Sequence, residues 1–561
     1  MDDIQQTQRS FALKALNQPG HRFDELYHLI CRRDWIEQAL KAVLGNQGSR
    51  TPGVDGITRK SLTKQEDREQ FITQLQADLK AGMFKTSPVE RAYIPKANGK
   101  QRPLGIPTLR DRTVQMLLKM LFEPIWESDF YDFSNGFRPG RRTMDCIAPM
   151  FRHIHDRHHY YWVIEGDIKG CFDHINHVIL MRELKRRIAD KRILNLVYQF
   201  LKAGVMEGEL FHKTNEGTPQ GGIVSPLLAN IYLHRFDEWW WEHFGGLTIY
   251  QKKSRRQKHQ GNGILVRYAD DFVILWNGDK AGAEQLREQV KQFLANELHL
   301  ELSLEKTHIT HVLEGFDFLG FHIKRYEDPN DRPTLRVEPS KKNIERFKNK
   351  VLAMTAHKRG FDNPLDKFNA LNAMMRGWIG YFRHVSAKGI ARELDWWVNH
   401  RVVLWMMHKH KTPIREILRQ YKSREHKGKL NRDNLAVKNK KGDNLYLYKM
   451  SDMPIRPYQY PFHRTNPYLE GEGIETTWSE MEIPLPDDTW NGWNENNLWH
   501  DICAAVLARD GYRCQECGSQ ENLDVHHKQA RKDGGSDEFE NLVTLCERCH
   551  TQTDTYGRNR T

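Results

Sequence analysis

Between Phe23 and Arg50 the apolar residues Leu26, Leu29, Ile30, Trp35 and Leu40 recur at helical spacing and predict a helical start to the chain. A Gly/Pro-rich stretch, Ser49–Thr58, reads as a loop, and "FITQLQADLKAGMF" and "RTVQMLLKMLFEPIWESDF" read as further amphipathic helices. Between those two helices, Arg91–Thr108 reads as two short strands around an Asn-Gly turn. "YWVIEGDIKGCFDHI" holds an apolar strand that ends near the carboxylate of Asp167. A Gly-rich turn, "GTPQGG", feeds a long helix, and "YQKKSRRQKHQGNG" (Tyr250–Gly263) reads as a basic, polar loop. "ILVRYADDFVILW" (Ile264–Trp276) reads as strand, turn and strand; a helix over Ala283–Leu298 and the apolar segment "FDFLGFHI" follow. The composition shifts over Lys324–Pro339, which reads as a linker because of Pro329, Pro333 and Pro339. Beyond it the pattern is helical, basic and aromatic to Lys411, then weakly periodic to Trp493, and ends in a Cys/His-rich unit.

A length of 561 residues is enough for roughly three to four domains. The formal net charge of +12 favours a polyanionic partner, most often nucleic acid. Cys31, Cys146, Cys171 and Cys503 are scattered, whereas Cys514, Cys517, Cys546 and Cys549 form two C-x-x-C pairs. Four thiolates from two such knuckles make a closed tetrahedral set, the arrangement of structural Zn²⁺. The first residues, "MDDIQQTQRS", are acidic and polar and do not resemble a targeting presequence. No apolar run of about 18 residues exists, so no membrane span is expected. These features together point to a reducing compartment such as the cytoplasm or nucleoid.

Asp270 and Asp271 pose an electrostatic problem. Two adjacent carboxylates in an apolar strand repel one another and are costly to desolvate. Divalent cations relieve that cost, and Mg²⁺ commonly takes one or two carboxylates together with substrate phosphates. Asp167, at the end of another apolar strand, is the candidate third ligand of a two-metal site for in-line phosphoryl transfer. Taken singly, these residues also suit a solvated hairpin turn and a helix cap.

The order of longer motifs decides between these readings. "IPKANGKQRPLGIPTLRDR", "NGFRPGR", "GDIKGCFD", "GTPQGGIVSPLLANIYL", "RYADD", "LSLEKTHI" and "FDFLGF" resemble, in that order, the reverse transcriptases encoded by group II introns. "RGWIGYFRH" resembles the maturase region of those proteins, and the C-terminal unit resembles HNH endonucleases. The resemblance implies a multidomain α+β chain: a right-hand polymerase with fingers and an antiparallel palm sheet, an α-helical thumb/maturase domain, and a ββα-metal HNH domain containing zinc. The boundaries it implies are 1–325 for fingers and palm, 326–411 for thumb and maturase, 412–493 for a DNA-binding region, and 494–561 for the HNH unit.

The same resemblance assigns roles. Asp167, Asp270 and Asp271 match the carboxylates that hold two Mg²⁺ ions. Lys96 and Arg102 match contacts to the incoming triphosphate, Phe172 the residue under the sugar, and Gln220 the turn beside the nascent base pair. Arg376, Arg383, Lys409 and Lys411 are the candidate RNA contacts, while Trp378, Tyr381 and Phe382, at helical spacing, suit a core. In the HNH unit His527 matches the general base, His526 and His550 match ligands of a catalytic divalent cation, and Asn541 matches the residue that holds the base's loop. Asp554 stands where some relatives place a further ligand. The implied function is RNA-directed DNA synthesis from deoxynucleotides, splicing of a group II intron RNA, and nicking of double-stranded target DNA. Two alternatives are an RNA-binding splicing factor that has lost mobility and a domesticated or antiviral reverse transcriptase. No membrane partner is expected.

Overall fold

The computed structural model describes residues 3–95, 101–154, 159–207, 210–212, 217, 222–303, 305–327, 334–356, 362–427, 430–458, 466–469, 506–507, 509–511, 513–520, 523–529, 541–551 and 553. The chain folds into two units, Met1–Met481 and Glu482–Thr561, and each is described by itself. Among the described residues no helix is long and apolar enough to cross a membrane.

In chain order the first eight strands of the larger unit are β1 (Val89–Pro95), β2 (Gln101–Ile106), β3 (Trp162–Asp167), β4 (Val205–Glu207), β5 (Leu210–His212), β6 (Gly263–Tyr268), β7 (Asp271–Trp276) and β8 (His308–His311). β1 and β2 pair antiparallel, as the Asn-Gly turn predicts, and extend through β4 and β5 into a sheet of order β2-β1-β4-β5. The second sheet has the order β6-β7-β3-β8, and all its pairs are antiparallel.

Burial explains why the strands of the second sheet read as continuous apolar runs. Ile164, Leu265, Phe272 and Ile274 enter one hydrophobic core, and Val163, Val266, Val273 and Leu275 enter another. Successive side chains point to opposite faces of a strand, so a sheet covered on both faces needs apolar residues at every position. The first core gathers the helices Arg33–Gly45, Leu109–Trp126, Lys191–Lys202, Ser225–Trp240 and Lys280–Leu298. Trp35 and Phe236 are fully buried there, and each large apolar side chain so buried contributes about 1.5–3 kcal/mol. At Gly166 a Cβ would lie 2.1 Å from the Phe272 ring, so only glycine lets that ring cover the strand next to Asp167.

The second core joins the other face of this sheet to the helices Thr143–His153, Lys341–Met354, Pro364–Phe382 and Lys388–His410. It also takes in a sheet that reaches into Lys324–Pro339, the stretch the sequence reading places in a linker. Phe321–Tyr326 pairs antiparallel with Thr334–Pro339, which buries Ile323 and Val337. Prolines at the ends of the second strand mask its alternation, and that alternation, not the prolines, decides the outcome. A second departure lies at Ile249–Gln257, predicted as part of a basic loop and observed as a helix. Thr248 and Gln251 close a capping box at its start, a local signal that the charge run obscures.

Residues Lys422–Lys427, Leu430–Lys438 and Asn444–Tyr446 form a three-stranded sheet that packs on the preceding helices. Asn372 fixes it there, donating to the Tyr446 carbonyl at 2.8 Å and accepting from the Tyr448 amide at 2.7 Å. The chain then returns to earlier elements: Tyr458 donates to Asp145 at 2.5 Å, and Tyr468 donates to Glu123 at 2.7 Å.

In the smaller unit, Leu523–His527 pairs antiparallel with Leu542–Cys546, and the short helix Glu547–Thr551 follows. Among its described residues Val506, Val525 and Leu542 form one apolar cluster, and Cys514, Leu545 and Cys546 form another.

Candidate functional site

The register of the second sheet brings the three aspartates to one end. Asp167, the last residue of β3, lies opposite Asp271, the first residue of β7. Tyr268 also pairs with Asp271, so Ala269 and Asp270 form the two-residue turn between β6 and β7. Ala269 takes φ +57°, the positive value that tight hairpin turns favour.

A residue that sequence reasoning passes over holds this turn. Arg267 is fully buried and donates from Nη1 to the Ala269 carbonyl at 2.8 Å. Its Nε reaches Asp237 at 2.7 Å, its Nη2 also reaches Asp237, and Nη2 donates to Ser134 Oγ at 2.6 Å. The signal that could have found it is an arginine inside an apolar strand, which demands a buried partner.

Lys306, in the "LSLEKTHI" stretch, is the second such residue. Its ammonium lies 2.9 Å from Asp167 Oδ2, with side-chain exposures of 68% for Lys306 and 26% for Asp167. It supplies positive charge at the carboxylate end of the sheet. Among the described residues the carboxylates of Asp167, Asp270 and Asp271 do not close into a ligand group of the kind the four cysteines form.

Phe172 sits five residues beyond Asp167, on the tight turn Cys171–Asp173, packed against the first core. Its ring meets Phe137 edge-to-face at 6.3 Å. Arg102 lies in β2 opposite Ile94. Lys96 and Gln220 lie outside the described residues.

Of the basic residues expected to meet RNA, Arg376 is exposed and stacks over the Tyr448 ring at 5.0 Å. Arg383 is half-buried; Lys409 and Lys411 end the helix Lys388–His410. Trp378 and Phe382 face inward, and Trp378 donates to Asn343 at 3.2 Å.

In the smaller unit Cys514, Cys517, Cys546 and Cys549 have ligand atoms all within 4.8 Å of one another, a group able to hold a metal ion. Burial raises the Cys514 thiol, but backbone N–H groups of Cys546, Cys517 and Glu516 hold it down to about 6, while hydrogen bonds with neighbouring cysteines push Cys517 and Cys549 up, so without a metal the cluster favours one thiolate. His526 and His527 are buried on the strand beside this cluster. The His526 and His550 rings lie 4.8 Å apart, and His550 Nδ1 is 3.2 Å from Asp524, a carboxylate that sequence reasoning does not single out. Burial, then the neighbouring His550 and His527, push the pKa of His526 down and favour the neutral imidazole that ligates metals. Asn541 clamps the chain after His527: its Oδ1 accepts from the Gln529 amide at 2.8 Å and its Nδ2 donates to the Gln529 carbonyl at 3.0 Å. Asp554 lies outside the described residues.

Three family models match the chain in order. They are reverse transcriptase (RNA-dependent DNA polymerase) over residues 94–323, group II intron maturase-specific domain over 344–424, and HNH endonuclease over 514–555. Protein YkfC of Escherichia coli is 39% identical over 343 residues, covering 57% of this chain and 88% of that protein. The group II intron-encoded protein LtrA of Lactococcus lactis is 37% identical over 348 residues, 54% of this chain and 57% of LtrA. A COX1/OXI3 intron 2 protein of Saccharomyces cerevisiae is 29% identical over 325 residues, 51% of this chain and 37% of that protein. The chain thus spans little more than half the length of LtrA.

Proposed function

As the chain belongs to the family of group II intron-encoded reverse transcriptase/maturases with a C-terminal HNH endonuclease domain, we propose that it serves one mobility cycle. In that cycle it assists its intron RNA in splicing, nicks target DNA and extends the freed 3′ end on RNA. The observation that carries this reading is the Asp167–Asp271 register with Asp270 in the adjoining turn. Oxygen donors at one end of a sheet suit Mg²⁺, and the Lys306 ammonium already beside Asp167 marks the place as one that draws positive charge. Two Mg²⁺ ions held by Asp167, Asp270 and Asp271 would supply the charge that activates the primer hydroxyl and stabilises the leaving oxygen.

The chain's own residues do the rest. The primer 3′-oxygen attacks the α-phosphate of a deoxynucleotide, a new phosphodiester forms, and pyrophosphate leaves. Lys96 and Arg102 neutralise the triphosphate, arginine by forked hydrogen bonds and lysine as a point charge. Phe172 lies under the sugar and excludes a 2′-hydroxyl, while Gln220 borders the nascent pair. Arg376, Arg383, Lys409 and Lys411 bind the intron RNA through its phosphates.

In the smaller unit His527 takes the proton of the water that attacks a DNA phosphate, and Asn541 holds the segment that follows it. His526 and His550 would hold a divalent cation, and the four cysteines a structural Zn²⁺. This cycle places the protein with nucleic acid in the bacterial cytoplasm or nucleoid.

The test is primer extension on an RNA template with Mg²⁺, run beside binding of the RNA that co-purifies with the protein. Wild-type protein makes cDNA. Asp270→Ala makes none yet binds that RNA as before. Absence of cDNA from the wild type refutes the polymerase reading and leaves an RNA-binding splicing factor.

A further inference from the structure

Phe137, in "NGFRPGR", is a large apolar side chain left 51% exposed beside the catalytic end of the sheet. Its φ is +59°, a region that a bulky L-residue enters only under strain. Such strain persists where the surroundings over-determine the backbone, and here they do. On one side, the Gly136 carbonyl accepts from Asn230 Nδ2 at 2.7 Å, and a Cβ on Gly136 would lie 2.3 Å from the Ala269 nitrogen. On the other side, buried Arg138 forks onto Glu127 at 3.0 and 2.9 Å and donates to the Ser134 carbonyl at 2.6 Å. The Asn135 amide donates to the Arg267 carbonyl at 2.9 Å, and the Arg267 amide donates to the Phe133 carbonyl at 2.8 Å. The loop is thereby tied to the strand that leads into the Asp270 turn, and Phe137 cannot relax.

On this backbone the Phe137 ring lies beside two other rings. It meets Phe172 edge-to-face, with centroids 6.3 Å apart and planes at 84°. It also lies 6.4 Å from the ring of Tyr268, the residue before the turn. Phe137 therefore joins the turn that carries Asp270 to the turn that carries Phe172.

We propose that Phe137 is a positioning residue for sugar selection, whose edge fixes the Phe172 ring in the orientation that excludes a 2′-hydroxyl. This rests on the polymerase reading above. A steric gate selects only if it does not yield, and an unsupported aromatic ring yields by turning about its side-chain torsions. An edge-to-face neighbour on a rigid backbone removes that freedom.

The test uses the full chain, a primed RNA template, and a single incorporation of dCTP or CTP. It compares the two kcat/KM values in wild type, Phe137→Gly, Phe137→Tyr, Phe172→Ala and Phe137→Gly/Phe172→Ala. Glycine relieves the strain at φ +59° but gives up the ring contacts and frees the unfolded chain, so selectivity is compared at a temperature where thermal unfolding shows every variant folded. The deoxy-to-ribo preference of Phe137→Gly falls by about tenfold or more, the scale on which a small steric feature discriminates substrates, while kcat for dCTP stays near wild type. Phe137→Tyr keeps the preference, and the double variant selects no worse than Phe172→Ala alone, because Phe137 acts through Phe172. An unchanged ratio in Phe137→Gly, an equal loss with dCTP and CTP, or an additive double variant overturns the proposal while polymerisation stands. No extension by the wild type overturns the polymerase reading and this proposal with it.

Discussion

Replacing Arg267 with methionine leaves Asp237, itself fully buried, as an uncompensated carboxylate inside the fold. Breaking a buried ion pair in this way costs about 3–5 kcal/mol. The Ala269 carbonyl and Ser134 hydroxyl lose a donor at the same time, a further ~1–3 kcal/mol each where no water replaces it, with the terms not strictly additive. In a unit as large as Met1–Met481, several kcal/mol lowers the unfolding temperature by roughly 5 °C. Asp237→Leu alone does comparable damage, because it strands the guanidinium. Arg267→Met with Asp237→Leu removes both charges, and such a replacement is often neutral or stabilising, so it recovers most of the lost temperature. It does not restore the donor to the Ala269 carbonyl. Asp270 and Asp271 then sit on a loosened turn, and a displacement of about 1 Å in a catalytic group costs roughly 100-fold in rate. The double variant is therefore expected to melt near wild type and yet extend primers far more slowly. Thermal unfolding and single-nucleotide extension on the same preparations check both halves. A double variant with wild-type kcat would show that the turn does not depend on the guanidinium. A single variant that melts near wild type would show that the buried charge finds another partner.

Lys306→Ala removes the ammonium that competes for Asp167, so the variant binds Mn²⁺ more tightly in a titration followed by EPR; weaker or unchanged binding refutes the competition. Cys546→Ser breaks the four-thiol group: zinc content measured by mass spectrometry falls and DNA nicking is lost, while primer extension by the other unit persists. Retention of zinc would exclude these cysteines as its ligands. Burial raises Glu238, but hydrogen bonds and charge from Arg186 and charge from His234 outweigh it and hold the carboxyl at about 2, below its ordinary 4.5. The folded state thus favours the ionised form, so the stabilisation is fully present above about pH 4.5 and fades as pH falls toward 2. Glu238→Gln flattens that acid limb in unfolding experiments, and a limb as steep as wild type would assign it to other carboxylates.

What is legible in the sequence is local. Asp270 and Asp271 are adjacent, and their cost in an apolar strand is visible without knowing any partner. The two C-x-x-C pairs and the Asn-Gly hairpin are likewise written within a few residues. The helix Ile249–Gln257 escapes such a reading because basic side chains with no buried face give no periodicity, and only the Thr248–Gln251 box marks it. The strand Thr334–Pro339 escapes it because Pro333 and Pro339 outweigh the alternation of Leu335 and Val337.

The groups that position the candidate catalytic residues are illegible for a different reason. Arg267 meets Asp237 across 30 residues of sequence and Ser134 across 133, and Lys306 meets Asp167 across 139. No short window of sequence contains both partners; Asp237 and Lys306 alone read as ordinary surface charges, and Ser134 as an ordinary loop residue. The exception is Arg267, which is flanked by Val266 and Tyr268 in an apolar strand, where a lone cation is as improbable as the paired aspartates three residues on. The cost of burial that marks Asp270 and Asp271 marks Arg267 equally: a charge in an apolar run implies a compensating group, whether a metal ion or a distant side chain. In this fold the two cases meet at one turn, with the candidate metal-binding carboxylates at its outer end and the ion-paired Arg267 fixing its inner end.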